Sequence, residues 1–194
     1  MEPGRRRVAA RVLLVVAALG LTSLHALEPG YPPSSATLSD YALSPHGWVF
    51  TASLLCLGAG SALVLLAVWP IWRVRRWLVL VWTLGNVVVA LVTTDPVGAA
   101  VTTGGRIHAV WASAGIGALL LAEAISAVVD RTVRWRSALA AATGLVGLAA
   151  APLIGFGAAE RIVVGVHILW LLSLTVGAVA DGSTAGRPGD MFER

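Results

Sequence analysis

An all-α integral membrane bundle of six transmembrane helices is the fold class this sequence predicts, and three observations predict it. Hydrophobic residues make up 57% of the 194-residue chain and charged residues 12%, about half the charged share of a soluble domain. Six apolar stretches recur along it, each near the roughly 20 residues an α-helix needs to cross a bilayer. Arginine clusters separate alternate stretches, as they do where cytoplasmic loops retain positive charge. Lipid offers the backbone no hydrogen-bond partners, so a spanning segment must be a helix or a strand of a closed barrel. The two-residue alternation of a barrel strand is absent.

The first stretch, residues 8–27, follows Arg5, Arg6 and Arg7. A cleaved signal peptide has the same opening but wants small residues at −1 and −3 of its cut site. The best end here, Leu24-His25-Ala26, has leucine at −3, so an uncleaved helix is expected. Further spans are expected at residues 47–69, 77–92, 107–129, 137–156 and 162–180. The third is short and steep. Together they form one membrane domain over residues 1–180, followed by a polar Gly- and Pro-containing tail at 181–194 that is expected to be disordered.

Orientation follows from arginine. Arg5 to Arg7, then Arg73, Arg75 and Arg76, then Arg131, Arg134 and Arg136 fall in alternate connections, whereas the intervening segments hold only Arg106 and Arg161. Both termini are therefore expected in the cytoplasm, with the protein in the inner (plasma) membrane. All 14 basic residues are arginine, a uniformity that codon usage explains as well as chemistry does. Their position beside apolar spans points to anionic lipid and not to nucleic acid. The single cysteine, Cys56, lies within an apolar span and permits no intramolecular disulfide.

The longest outer connection, residues 28–46, is rich in Pro, Ser and Thr. It is either a lid over the helix ends or a tether between the first two spans. Small residues repeat at packing spacing in the fourth span (Gly115, Ala122) and the fifth (Gly144, Gly147, Ala151), which allows close helix approach in lipid. The eight tryptophans read as interface anchors.

The histidines fall in the outer half: His25, His46, His108 and His167, accompanied by Asp40, Asp95, Arg106, Glu160 and Arg161. His167 lies about 10 Å below the start of its helix at 1.5 Å per residue. An ionisable group at that depth should face the bundle interior or a wet cavity. Glu160, Val164 and His167 share a helix face, although Glu160 also suits a helix N-terminus. Glu123 is the other costly intramembrane charge, and an arginine of the inner loops is its expected partner. The candidate ligand-binding set is Asp95, Arg106, His108, Glu160, Arg161 and His167. His46, Asp95, His108 and His167 are of the residue types that bind zinc, but no HExxH, HxxxH or HxxE spacing joins them.

Three stretches resemble the bacterial DUF998 family of membrane proteins of unknown function. They are Ser39-Asp40-Tyr41-Ala42 with Trp48, Thr94-Asp95 with Thr103, Gly104 and Ile107-His108, and Gly157 with Glu160-Arg161. Where the family has Phe-Pro ahead of the aspartate, this chain has Val92-Thr93. The resemblance implies a six-helix fold and an outer-side constellation of Asp95 and His108, and it brings no known reaction.

The expected function is a non-enzymatic one: binding a small or lipidic ligand at a polar outer pocket, or serving as an accessory to other membrane proteins. No cofactor is expected. The alternatives are a zinc-dependent hydrolase or transferase acting on lipid headgroups, a proton-coupled transporter using His167 and Glu160, and a haem protein with two histidine ligands.

Overall fold

A computed structural model describes residues 2–67 and 73–176. It contains helices α1 (Pro3–Leu27), α2 (Gly47–Ala67), α3 (Arg73–Leu91), α4 (Thr103–Val129), α5 (Arg134–Ala149), α6 (Ala151–Ile154) and α7 (Phe156–Val176), with a 3-10 segment at Ser39–Leu43. Five helices are long and apolar enough to cross a membrane: α1, α2, α4, α7 and Val74–Leu91 of α3. The last residues expected in the second and sixth spans, and the tail at 181–194, lie outside the described residues.

The fifth expected span departs from a single helix. α5 has 16 residues, about 24 Å at 1.5 Å per residue, against a hydrocarbon core of about 30 Å. Pro152 sits in the first turn of the four-residue α6, where a missing N–H costs nothing, although it could not continue α5. Gly155 then takes φ +88°, a conformation open to glycine that turns the chain into α7.

The chain runs up and down a ring in which α1 packs on α2, α2 on α3, α3 on α4, α4 on α5, α5 on α7 and α7 on α1. α7 also touches α2 and α4, and so passes nearest the middle. Leu14, Leu24, Leu57, Leu119 and Leu171 are fully buried between the helices. Dispersion between close backbones replaces the missing hydrophobic drive in lipid. A Cβ on Gly85 would lie 3.0 Å from the Trp111 carbonyl and 3.4 Å from Gly115 Cα. The small residues of α5 serve the same end, since a Cβ on Gly144 would lie 2.9 Å from Leu120 and one on Gly147 would lie 3.0 Å from Ile162.

The two ends of the bundle differ. At one, Arg6 donates to the Leu66 carbonyl (3.2 Å), Arg75 pairs with Asp130 (3.0 Å), Arg136 donates to the Ser173 carbonyl (3.3 Å) and Arg11 binds Thr175. This is the arginine end. The opposite, loop end carries residues 28–46, the connection from α3 to α4 and the start of α7.

Candidate functional site at the loop end

Residues 28–46 fold back over the helices and are fastened there. Glu28 accepts hydrogen bonds from the backbone N–H of His46 (3.0 Å) and from its ring Nδ1 (2.8 Å), which ties the two ends of the loop together. Desolvation opposes ionisation of Glu28, but the bonds from His46 and Ser44 hold its carboxyl below the ordinary carboxylate value. Within the loop Asp40 accepts from the Thr37 amide (2.6 Å), and Tyr41 has no exposed surface.

The second turn of α7 supplies the main fastening. Glu160 Oε2 accepts from the Leu38 amide at 2.7 Å. Arg161 donates from Nη1 to the carbonyls of Pro33 (3.1 Å), Ala36 (2.6 Å) and Gly157 (2.9 Å), and from Nε to His25 Nε2 (2.8 Å). Its Nη2 reaches the Tyr41 hydroxyl at 3.3 Å, and its guanidinium lies 5.5 Å from the Tyr41 ring centroid. With Nε2 accepting, the His25 proton sits on Nδ1 and is donated to the Thr22 carbonyl at 3.2 Å. The planar fork of arginine, with five donors, suits a position where several carbonyls converge. Gly157 permits the contact, because a Cβ there would run into the Ala36 carbonyl and lie 2.7 Å from that of Pro33.

Asp95 and His108 brace the neighbouring connection. Asp95 binds the Thr102 amide and hydroxyl, each at 2.8 Å, while the Thr102 hydroxyl caps α4 by accepting from the Gly105 amide at 3.0 Å. His108 donates from Nδ1 to the Val92 carbonyl (2.6 Å), and its Nε2 meets the Ser39 hydroxyl at 2.8 Å. It thereby joins α3, α4 and the loop. Arg106 is exposed on the first turn of α4.

The expected single outer pocket holding Asp95, His108, Glu160 and His167 does not form. α4 and α7 are neighbours, but His167 is fully buried, with Nδ1 2.8 Å from Oε1 of the equally buried Glu123. The arginine expected beside Glu123 is engaged elsewhere: Arg75 binds Ser126 (3.1 Å) and Asp130 (3.0 Å), both nearer the end of α4. The reason is depth, because Glu123 lies two turns before the end of α4 and α7 brings His167 to that level. The edge of His167 meets the Trp82 ring at a centroid distance of 5.3 Å.

Nor do the four residues singled out as zinc ligands converge. His46 is bound to Glu28, Asp95 to Thr102, His108 to Val92 and Ser39, and His167 to Glu123. Among the described residues no three His, Cys, Asp or Glu side chains are grouped so as to hold a metal ion.

Two spaces lie beneath the fastened loop. A cavity of about 50 Å³ between α2, α3, α4 and α7 is lined mainly by apolar side chains, among them Phe50, Trp82 and Trp111, with Ser39, Asn86 and Glu160. A groove of about 330 Å³ between α1 and α7 is lined by Ala18, Leu21, Gly165, Ile168 and Leu172, with His25 and Arg161 at its rim. Leu38 and Val164 border both, so one loop residue and one α7 residue form the wall between them. Of the six residues expected to bind ligand, Glu160 borders the cavity and Arg161 the groove. Sequence reasoning passed over Leu38, whose only signal was a large apolar side chain in a polar loop, and met Tyr41 only within the Ser39-Asp40-Tyr41-Ala42 stretch of the family resemblance.

No curated protein and no solved structure matches the chain. The sequence pattern of a family described as protein of unknown function (DUF998) matches residues 8–177, and with its five apolar helices of spanning length the chain belongs to that family of multi-pass membrane proteins.

Proposed function

We propose that this protein is a non-enzymatic lipid-binding protein of the inner membrane, and that it receives an acyl chain in the groove between α1 and α7 beneath the fastened loop. The observation that carries the reading is the groove itself: about 330 Å³, apolar along its length, with a guanidinium and an imidazole at the loop end. A ligand site of this kind is typically apolar with a few placed polar groups. The arrangement matches a lipid lying parallel to the helices with its headgroup at Arg161 and His25. The shared wall of Leu38 and Val164 would let the bound chain reach the inner cavity when the loop lifts.

In this reading α5 with α6 completes a sixth crossing. The arginine end and both termini face the cytoplasm, and the loop end faces outward. Reporter fusions at the two termini read out that orientation, and an external N-terminus would reverse it. A photoactivatable phospholipid, incorporated in membranes containing the full chain, tests the binding. Cross-links are expected in peptides covering residues 18–25 of α1 and 161–172 of α7. Labelling spread evenly over the exposed faces of all helices would overturn the assignment.

A further inference from the structure

At the arginine end the six long helices surround a cavity of about 350 Å³ lined by Arg7, Arg75 and Arg136, together with Ser126, Asp130 and Thr132. We propose that it is a binding site for a phosphate group, carried by a phospholipid headgroup or by free phosphate. This goes beyond the lipid groove, which lies at the opposite end.

Charge and unmet hydrogen bonding point the same way. Three guanidinium groups face one carboxylate, Asp130. Burial opposes ionisation of Asp130, but bonds from Thr132 and Arg75 hold its carboxyl below the ordinary value, so it is ionised at neutral pH. Asp130 takes Arg75 on one oxygen and Thr132 on the other, which leaves the cavity with an excess of positive charge. Arg75 is 7% exposed, and its Nε, like that of Arg7, is buried without an acceptor. Buried polar groups are nearly always hydrogen-bonded, so two unanswered guanidinium donors at one cavity call for an acceptor. Neighbouring arginines are answered: Arg6 by Leu66, Arg11 by Thr175 and Arg134 by Val128.

Phosphate supplies several acceptor oxygens on one small anion, and arginine forks bind it in a way that ammonium groups do not reproduce. Basic pockets between helices on the cytoplasmic side are a common seat for anionic headgroups. Arg7 comes from α1, Arg75 from α3 and Arg136 from α5. Donors therefore approach one small volume from three sides.

Binding to the full chain in detergent separates the sources. Inorganic phosphate is titrated by calorimetry against chloride at matched ionic strength, and phosphatidylglycerol is compared with phosphatidylcholine by native mass spectrometry. Saturable binding of inorganic phosphate assigns free phosphate, and retention of phosphatidylglycerol without it assigns the headgroup. In either case Arg7→Gln and Arg136→Gln should each weaken binding by about tenfold, as loss of one charge-assisted hydrogen bond does. Gly165→Leu, at the lipid groove, should leave inorganic phosphate binding and the share of phosphatidylglycerol retention that depends on Arg7 and Arg136 unchanged. Arg7→Lys keeps the charge and guards against misfolding of the glutamine variant, with intermediate affinity expected. Absence of both ligands, or binding indifferent to Arg7 and Arg136, overturns the proposal.

Discussion

Glu123 and His167 meet at 2.8 Å with no exposed surface on either side chain, and each has a second polar atom, Glu123 Oε2 and His167 Nε2, without a partner. The pair is one hydrogen bond in a place where each member alone would be an isolated polar group. Removing one member therefore costs more than the bond itself. Glu123→Ala should lower the unfolding free energy in micelles by about 3–5 kcal/mol. The double variant Glu123→Ala with His167→Leu should be less destabilised than the sum of the single changes, because the orphaned partner goes too. Additive effects, or coupling of Glu123 to Arg75 in place of His167, would contradict the pairing. The cost of both residues was legible in the sequence from their intramembrane positions. Their partnership was not, since 44 positions separate them and only the ring arrangement of α4 and α7 brings them to one level.

At the scale of elements, the first four apolar runs fall on α1, α2, α3 and α4, but α1, α3 and α4 begin at Pro3, Arg73 and Thr103, four or five residues before the apolar runs do, because a helix continues through flanking arginines that hydropathy excludes. The fifth diverged where Pro152 and Gly155 interrupt an apolar run that hydropathy reads as continuous. Tryptophan was legible in part. Trp48, Trp77 and Trp135 are about two-thirds exposed near helix ends, as interface anchors are. Trp82 and Trp170 are instead buried and donate to the hydroxyls of Ser61 (3.1 Å) and Ser137 (2.8 Å). The sequence of the loop suits a lid or a tether equally, and the contacts from Glu160 and Arg161 fasten it down. Gly157→Ala tests that fastening, since its Cβ would push against Ala36 and Pro33. Overpacking there should cost about 1–3 kcal/mol and speed hydrogen exchange at the Leu38 amide, while exchange in α2 to α4 stays slow. Unchanged protection at Leu38 would mean the loop is not held by α7.

Across the whole molecule the polar residues separate into a hydrogen-bonded loop end, a central Glu123–His167 pair and an arginine end, with apolar surface on the flanks between them. The outer polar residues look like a pocket in sequence because they share one end. In three dimensions most of them bind each other or the backbone, and their chemistry is spent on holding the loop over the helices. Beside them lies the groove between α1 and α7. Gly165 lies in its wall, and a Cβ added there would meet nothing within 4 Å, so a larger side chain enters the groove without disturbing the bundle. Leucine at this position also improves helix propensity, by roughly 0.5–1 kcal/mol relative to glycine. Native mass spectrometry of lipids retained by the full chain and by Gly165→Leu is the most direct measurement of the proposed function. The account predicts that a lipid kept by the natural protein is lost from the variant, whose thermal stability is equal or higher. Equal retention by the two proteins would contradict it.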